Sequence, residues 1–247
     1  MDRSLFIAMS GATQTMLAQT SNANNLANSQ TTGFKSDLEQ FRSMPVFGDG
    51  YPTRVYAQTE KPGTDFSQGG LQTTGNDLDI AINGDGFFAV QDSKGKEAYT
   101  RAGDLKITMD GQLQTGSGLA VLNEEGQPIS IPPSEKFVIG HDGSISIRPL
   151  GAPASGMLAN VAKIKLILPD MKNAEKRTDG LIYMKDGAPQ PDSPLVRVAQ
   201  GVIEGSNVNA IGAMVDMIEL ARNFEMQSNV MKNAKENSAA SAKLLQM

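Results

Sequence analysis

Several groupings of residues have the types or the spacing that chemistry uses. Gly84-Asp85-Gly86-Phe87-Phe88-Ala89 matches the dinucleotide-binding fingerprint with a terminal alanine. That fingerprint works only where a strand hands over to a helix, whose N-terminal amides take the pyrophosphate. Here Phe87-Phe88-Ala89-Val90 continues as a strand, so the segment is expected to be a hairpin turn. Asp77, Asp79, Asn83 and Asp85 bring side-chain oxygens together as a calcium loop does. A count from Asp77 or from Asp79 puts Ala81 where a ligand oxygen is needed, so turn chemistry and solvated strand faces explain these residues better. His141-Asp142-Gly143-Ser144 holds the residue types of a catalytic triad. A triad needs groups converging from different elements, and neighbours in one tight turn read as a surface turn. Lys61, Lys94, Lys96 and Arg101 stand singly, without interleaved aromatics, so no nucleic-acid stripe is expected. No catalytic residue, cofactor or metal is assigned, and an enzyme is not expected.

Composition narrows the field in the same direction. The 247 residues include one histidine and no cysteine or tryptophan, which removes thiol nucleophiles, thiolate zinc sites, disulfide frameworks and multi-histidine metal centres. A net charge of −5 supplies no basic field for nucleic acid or an anionic membrane. Hydrophobic residues at 39% and charged residues at 20% exclude a membrane protein and stop short of full disorder.

The elements that would carry any site divide into helical ends and a strand-rich middle. No charged residue falls between Arg3 and Lys35, yet Ser10, Gly11, Thr13, Gln14 and Thr15 interrupt any apolar run. Neither a secretory signal nor a transmembrane helix, which needs about 18 consecutive apolar residues, is expected there. Leu5, Met9, Ala12, Met16, Gln19, Ala23 and Leu26 step by four and three, a heptad seam. Gly33 is a natural residue to follow the end of that helix. Near the other end, Ser206-Asn207-Val208-Asn209 offers N-cap side chains before Met217, Leu220, Phe224, Gln227, Met231, Ala234, Ser238, Ser241 and Leu245. Val208, Ile211, Val215 and Ile218 form a second stripe beside that one. Two arrangements are open: a helical hairpin packed on its own domain, or helices that pack chiefly against other copies. Seams so rich in Ala, Ser, Thr, Gln and Met bury little apolar surface per turn, which favours the second.

From Gly75 to Pro194 short alternating runs are separated by glycine turns. Leu78, Ile80 and Ile82 alternate with Asp77, Asp79 and Ala81, and Asp110-Gly111, Glu125-Gly126, Asp142-Gly143 and Asp186-Gly187 mark turns. Val161 to Leu168 is expected to form one strand, ending at Pro169. The fold class is therefore α+β: long N- and C-terminal helices pairing as a coiled-coil-like layer, with a central antiparallel β domain of many short strands. The expected organisation is residues 1–35 and 208–247 as a terminal helical assembly domain, 36–75 and 195–207 as connectors, and 76–194 as the β domain.

Three stretches carry a resemblance that covers both ends and much of the middle. They are Asn24-Asn25-Leu26-Ala27-Asn28 through Thr32-Gly33-Phe34-Lys35; Gly75 through Gly86-Phe87-Phe88 with Tyr99-Thr100-Arg101; and Glu204-Gly205-Ser206-Asn207-Val208-Asn209 entering Met214-Val215-Asp216-Met217-Ile218. In this order they resemble the bacterial flagellar rod and hook family. Met1-Asp2, Ala8-Met9-Ser10-Gly11-Ala12, Tyr99-Thr100-Arg101-Ala102-Gly103 and Ala221-Arg222-Asn223-Phe224-Glu225 look most like its proximal rod members, with the distal rod protein as the alternative. The resemblance implies a structural subunit exported by the flagellar type III apparatus without a cleaved signal. It also implies assembly with copies of itself and neighbouring rod proteins into a hollow shaft across the periplasm, without nucleic acid or membrane insertion. Leu5, Met9, Ala12, Met16, Ala23, Leu26, Val208, Ile211, Met217, Leu220, Phe224 and Met231 are the candidate assembly positions.

Overall fold

The computed structural model describes residues 4–38, 41–45, 55–59, 63–151 and 157–244. Met1-Asp2 and the seam position Leu245 lie outside them. Among the described residues are two helices, α1 (Ser4–Ala27) and α2 (Ala210–Leu244), with short antiparallel strands between them. The architecture is α+β. The helices belong to one packed unit, Met1–Ser29, Ser36–Asp65 and Val208–Met247, and most strands to another, Gln30–Lys35 and Phe66–Asn207. Neither helix is long and apolar enough to cross a membrane.

In the helical unit α1 and α2 run antiparallel, with Asn22 beside Ala213 and Thr15 beside Gln227. At 35 residues α2 is ~52 Å long. It can run so far because proline, which would remove a ladder hydrogen bond, is absent after Pro194. Its start is capped as the sequence implies: Asn209 Oδ1 accepts a hydrogen bond from the Gly212 amide at 3.2 Å. The stretch 36–75 contributes strands to this unit, Asp37–Leu38 against Gly63–Thr64 and Phe41–Pro45 against Val55–Thr59.

The β unit is organised around the strand Phe87–Gln91. Its run Phe-Phe-Ala-Val is buried on both faces: Phe88 and Val90 join a core with Ile80, Leu113, Ile145 and Ile164, while Phe87 and Ala89 join another with Tyr99, Leu122 and Ile167. Two apolar layers on either side of one strand require an unbroken apolar run, which is why alternation fails there. The strand pairs with Glu97–Thr100, Ala120–Val121 and Leu166–Ile167 within an eight-stranded antiparallel sheet. Ser134–Ile139, Ser144–Pro149 and Ala159–Lys163 form a three-stranded sheet.

Two expectations of local structure change. The Asn83-Gly84-Asp85-Gly86 turn does not close a hairpin: Ile80–Asn83 pairs with Arg197–Gln200, while Phe87–Gln91 pairs elsewhere. Positive φ at Gly84 (93°) and Gly86 (133°) turns the chain out of one ladder into another, and a Cβ at Gly86 would press on Val196 and the Ile167 carbonyl. The run 161–168 is likewise divided. Ala159–Lys163 stays with the three-stranded sheet, and Leu166–Ile167 crosses to the larger one, because the Ile164 and Lys165 amides turn to the Gly143 and Leu122 carbonyls at 2.9 Å. Arg197–Gln200 and Val202–Glu204 are strands within the expected connector 195–207.

Candidate assembly interface

Within the helical unit, α1 meets α2 through small side chains. Ala8, Ala12, Thr15 and Ala18 are its buried positions, and small residues let two helix axes approach closely. Gly11 and Thr15 face Gln227: Gln227 Nε2 donates to Thr15 Oγ1 at 3.3 Å, and Thr15 Oγ1 lies 3.0 Å from the Gly11 carbonyl that accepts from it. A Cβ at Gly11 would press on that glutamine side chain. Asn22 Nδ2 donates to the Ala213 carbonyl at 2.6 Å. On α2 the facing stripe is Ala213, Met217, Leu220, Gln227, Met231 and Ala234, stepping by four and three except across the exposed Phe224, where the step is seven. An open groove beside the first turns of α1 is lined by Leu5, Met231, Lys232, Ala234, Lys235 and Ser238.

The expected seam positions therefore fall into two groups. Ala12 is buried, and Leu5, Leu26, Val208, Met217, Leu220 and Met231 are half-buried. Met9, Met16, Ala23, Ile211 and Phe224 are exposed. Ala8, Thr15 and Ala18 are not among the expected positions; with Ala12 they step by four, three and three beside the methionine stripe, and only their small size marks them.

The motif residues gather at the helix ends. Asn25 binds the backbone of Asp37 through both ends of its amide, Nδ2 to the carbonyl at 2.8 Å and Oδ1 from the N–H at 2.9 Å. Asn28 Nδ2 donates to the Asn24 carbonyl and Ser29 Oγ to the Leu26 carbonyl, closing α1 just past Ala27. In the β unit the stretch that follows α1 lies beside the stretch that precedes α2. The Gly33 amide donates to the Glu204 carbonyl at 2.7 Å, and the Asn207 amide to the Phe34 carbonyl at 3.3 Å. Lys176 Nζ stands 3.9 Å from the Phe34 ring centroid. Ser206 is half-buried in the same stretch.

In the sequence Arg101 reads only as one of several singly scattered cations; in the structure it is 1% exposed and pairs with Glu204 at 2.8 Å. Lys35 pairs with the same carboxylate at 2.6 Å. The signal available was that all three lie inside the motif stretches. The groups that suggested enzymes hold turns instead. Asp79 accepts from Thr74 Oγ1 at 2.6 Å and Asn76 Nδ2 at 3.1 Å, and Asp142 Oδ1 accepts from the Ser144 amide and hydroxyl. His141 Nδ1 lies 3.0 Å from the Val198 carbonyl.

Comparison with known proteins decides the family. Residues 81–147 match the flagellar hook protein FlgE/F/G D1 domain, and residues 199–244 match the flagellar basal body rod FlgEFG protein C-terminal family. The flagellar basal-body rod protein FlgF of Escherichia coli (strain K12) is 38% identical over 253 residues, covering 100% of both chains. This chain belongs to the flagellar basal-body rod protein family. FlgF of Salmonella typhimurium is also 38% identical over the whole of both chains, and FlgF of Caulobacter vibrioides is 32% identical over 99% of this chain and 98% of its own. A relative named FlgG, from Buchnera aphidicola, is 32% identical over 91% of this chain and 93% of its own. The two family matches fall on different parts of the rod-family chain: the first spans strands of the β unit, and the second spans Val202–Glu204 and α2.

Proposed function

We propose that this chain is a structural subunit of the proximal flagellar rod, polymerising through its terminal helices into the shaft that carries torque from motor to hook. The observation that carries this reading is that pairing of α1 with α2 leaves a second apolar stripe on each helix uncovered. On α2, Ile211, Met214, Val215 and Ile218 follow i, i+3, i+4, i+7 spacing and are between 51% and 76% exposed. On α1, Phe6, Met9 and Met16 share a face with Thr13 and Thr20, whose hydroxyls donate to the carbonyls of Met9 and Met16. With those hydroxyls satisfied inside the helix, the face is mostly methyl and thioether, suited to burial.

A polymer that grows needs heterologous contacts repeated by a helical operator, since closed interfaces stop growth. Two different stripes, one on each helix, meet that need. The covering partners are further copies of the chain and neighbouring rod proteins, packed as a coiled-coil-like layer. The candidate seam residues act there, with Met9, Met16 and Ile211 facing neighbours and Ala12, Met217 and Leu220 holding the hairpin. In this reading residues 1–35 and 208–247 are the assembly domain, 36–75 and 195–207 connect, and 76–194 form the central β domain. Export through the flagellar type III apparatus without a cleaved signal, and a position across the periplasm, belong to the same proposal. Full-length similarity to proteins named FlgF supports the proximal position. Immunogold labelling of isolated basal bodies tests it: label at the inner-membrane end of the rod is expected. Label at the hook end would favour the distal rod, and unlabelled rods would refute both.

A further inference from the structure

Three stretches of the β unit border places where the chain passes between the two packed units. The passages fall at 29/30, 35/36, 65/66 and 207/208. Lys35 closes the short segment 30–35, Ser67 and Gly69 follow the passage at 65/66, and Glu204 to Asn207 precede the last one. One carboxylate holds all three. Glu204, with 0% of its side chain exposed, accepts at Oε1 from Lys35 Nζ (2.6 Å) and the Gly69 amide (3.0 Å), and at Oε2 from Arg101 Nη1 (2.8 Å). Lys35 Nζ also donates to the Ser67 carbonyl at 2.6 Å. Arg101 is anchored in turn by donating to the Gly84 carbonyl at 2.7 Å, with its guanidinium carbon 5.2 Å from the Phe87 ring centroid.

The backbones are bonded in the same place. Gly33 donates to the Glu204 carbonyl at 2.7 Å, Gly205 to the Gly70 carbonyl at 2.9 Å and Asn207 to the Phe34 carbonyl at 3.3 Å. The packing leaves no room for side chains at two points: a Cβ on Gly33, whose φ is +67°, would collide with the Arg101–Ala102 backbone, and one on Gly69 with the Gly205 carbonyl. Burying a carboxylate and two cations is costly, and apolar packing of equal volume commonly gives as much stability. What the ions add is direction, because each bond holds only in one register of the three stretches.

We propose that Glu204, with Lys35 and Arg101, is a clasp that locks the mutual register of segments 33–35, 67–70 and 204–207. Force passed along the chain between the helical unit and the β unit is then shared among the segments, not peeled from one at a time. The force component rests on the rod function proposed above; the register component does not.

Hydrogen exchange on the full-length monomer tests the register. In Glu204→Gln the amides of Gly33, Gly69, Gly205 and Asn207 are expected to lose protection together, by about tenfold or more, while Phe88 to Val90 keep theirs. Should that variant fail to fold, Lys35→Met leaves Glu204 paired with Arg101 and is expected to loosen the same four amides. Glu204→Asp, which keeps the charge, is expected to restore part of the protection. Loosening confined to the substituted segment, or spread evenly through the β unit, would overturn the clasp. The force component is read from swimming in media of rising viscosity: a Lys35→Met strain is expected to stall at lower viscosity than its parent. Equal tolerance in rods that contain the variant would overturn that component. Rods that lack even the parent chain would instead reject the rod assignment, leaving the exchange result standing.

Discussion

Replacing Ile218 by aspartate separates assembly from folding. Ile218 is 56% exposed, so somewhat under half of its side chain is covered within the chain. Full burial of an isoleucine stabilises by about 1.5–3 kcal/mol, so the covered part contributes about 0.7–1.3 kcal/mol to the monomer. Aspartate also lowers helix propensity by a few tenths of a kcal/mol, giving a total near 1–2 kcal/mol in a 35-residue helix. In the proposed polymer the exposed remainder, about 0.8–1.7 kcal/mol, would be lost at each copy of the contact, and desolvating the new carboxylate would cost several kcal/mol more. Each 1.4 kcal/mol is tenfold, so incorporation is expected to fall by about a hundredfold or more. Ala234→Asp is the opposite case. At 5% exposure it faces α1, so its charge is expected to part the helices in the monomer. The assays are helical circular dichroism of each purified monomer, and rod content with swimming in cells. Ile218→Asp should retain near-parental helicity and abolish rods; Ala234→Asp should lose helicity first. Normal rods with Ile218→Asp, or equal loss of helicity in both variants, would refute the division of faces.

Two further outcomes follow from single groups. Asn25→Ala removes both hydrogen bonds to the Asp37 backbone and is expected to cost about 1–3 kcal/mol, read as faster exchange of the Asp37 amide. Asp104 is half-buried, and its desolvation, aided by nearby Asp79, raises its carboxyl above the ordinary carboxylate value. A raised folded-state value means that its contribution is full below the unfolded value and declines as pH rises through the folded one. Asp104→Asn is therefore expected to raise the thermal midpoint more at pH 7 than at pH 3; a gain independent of pH would show that charge is not the cause.

The helical ends, the N-cap at Asn209 and the strand-rich middle are legible in the sequence because each is set by neighbours within one or two turns. The division of the helix faces is less so. Met9 and Met16 satisfy heptad spacing as well as Ala8 and Thr15 do, yet the smaller residues meet α2 and the methionines stay open. Spacing identifies stripes without saying which partner covers each. Nor does Asn-Gly say whether its flanking strands pair with each other; here one ladder runs to Arg197–Gln200 and the other to Glu97–Thr100.

By itself the sequence determines the element types, their order and the motifs of the rod family, since periodicity, capping and turn residues act locally. Tertiary structure alone decides that Lys35, Arg101 and Glu204 meet. Their partners lie 169 and 103 residues away, and no local pattern specifies which distant charge will share a buried site. That choice follows from the folding of the β unit, which removes water from all three at once and replaces it with opposite charge and with backbone partners at Ser67, Gly69 and Gly84.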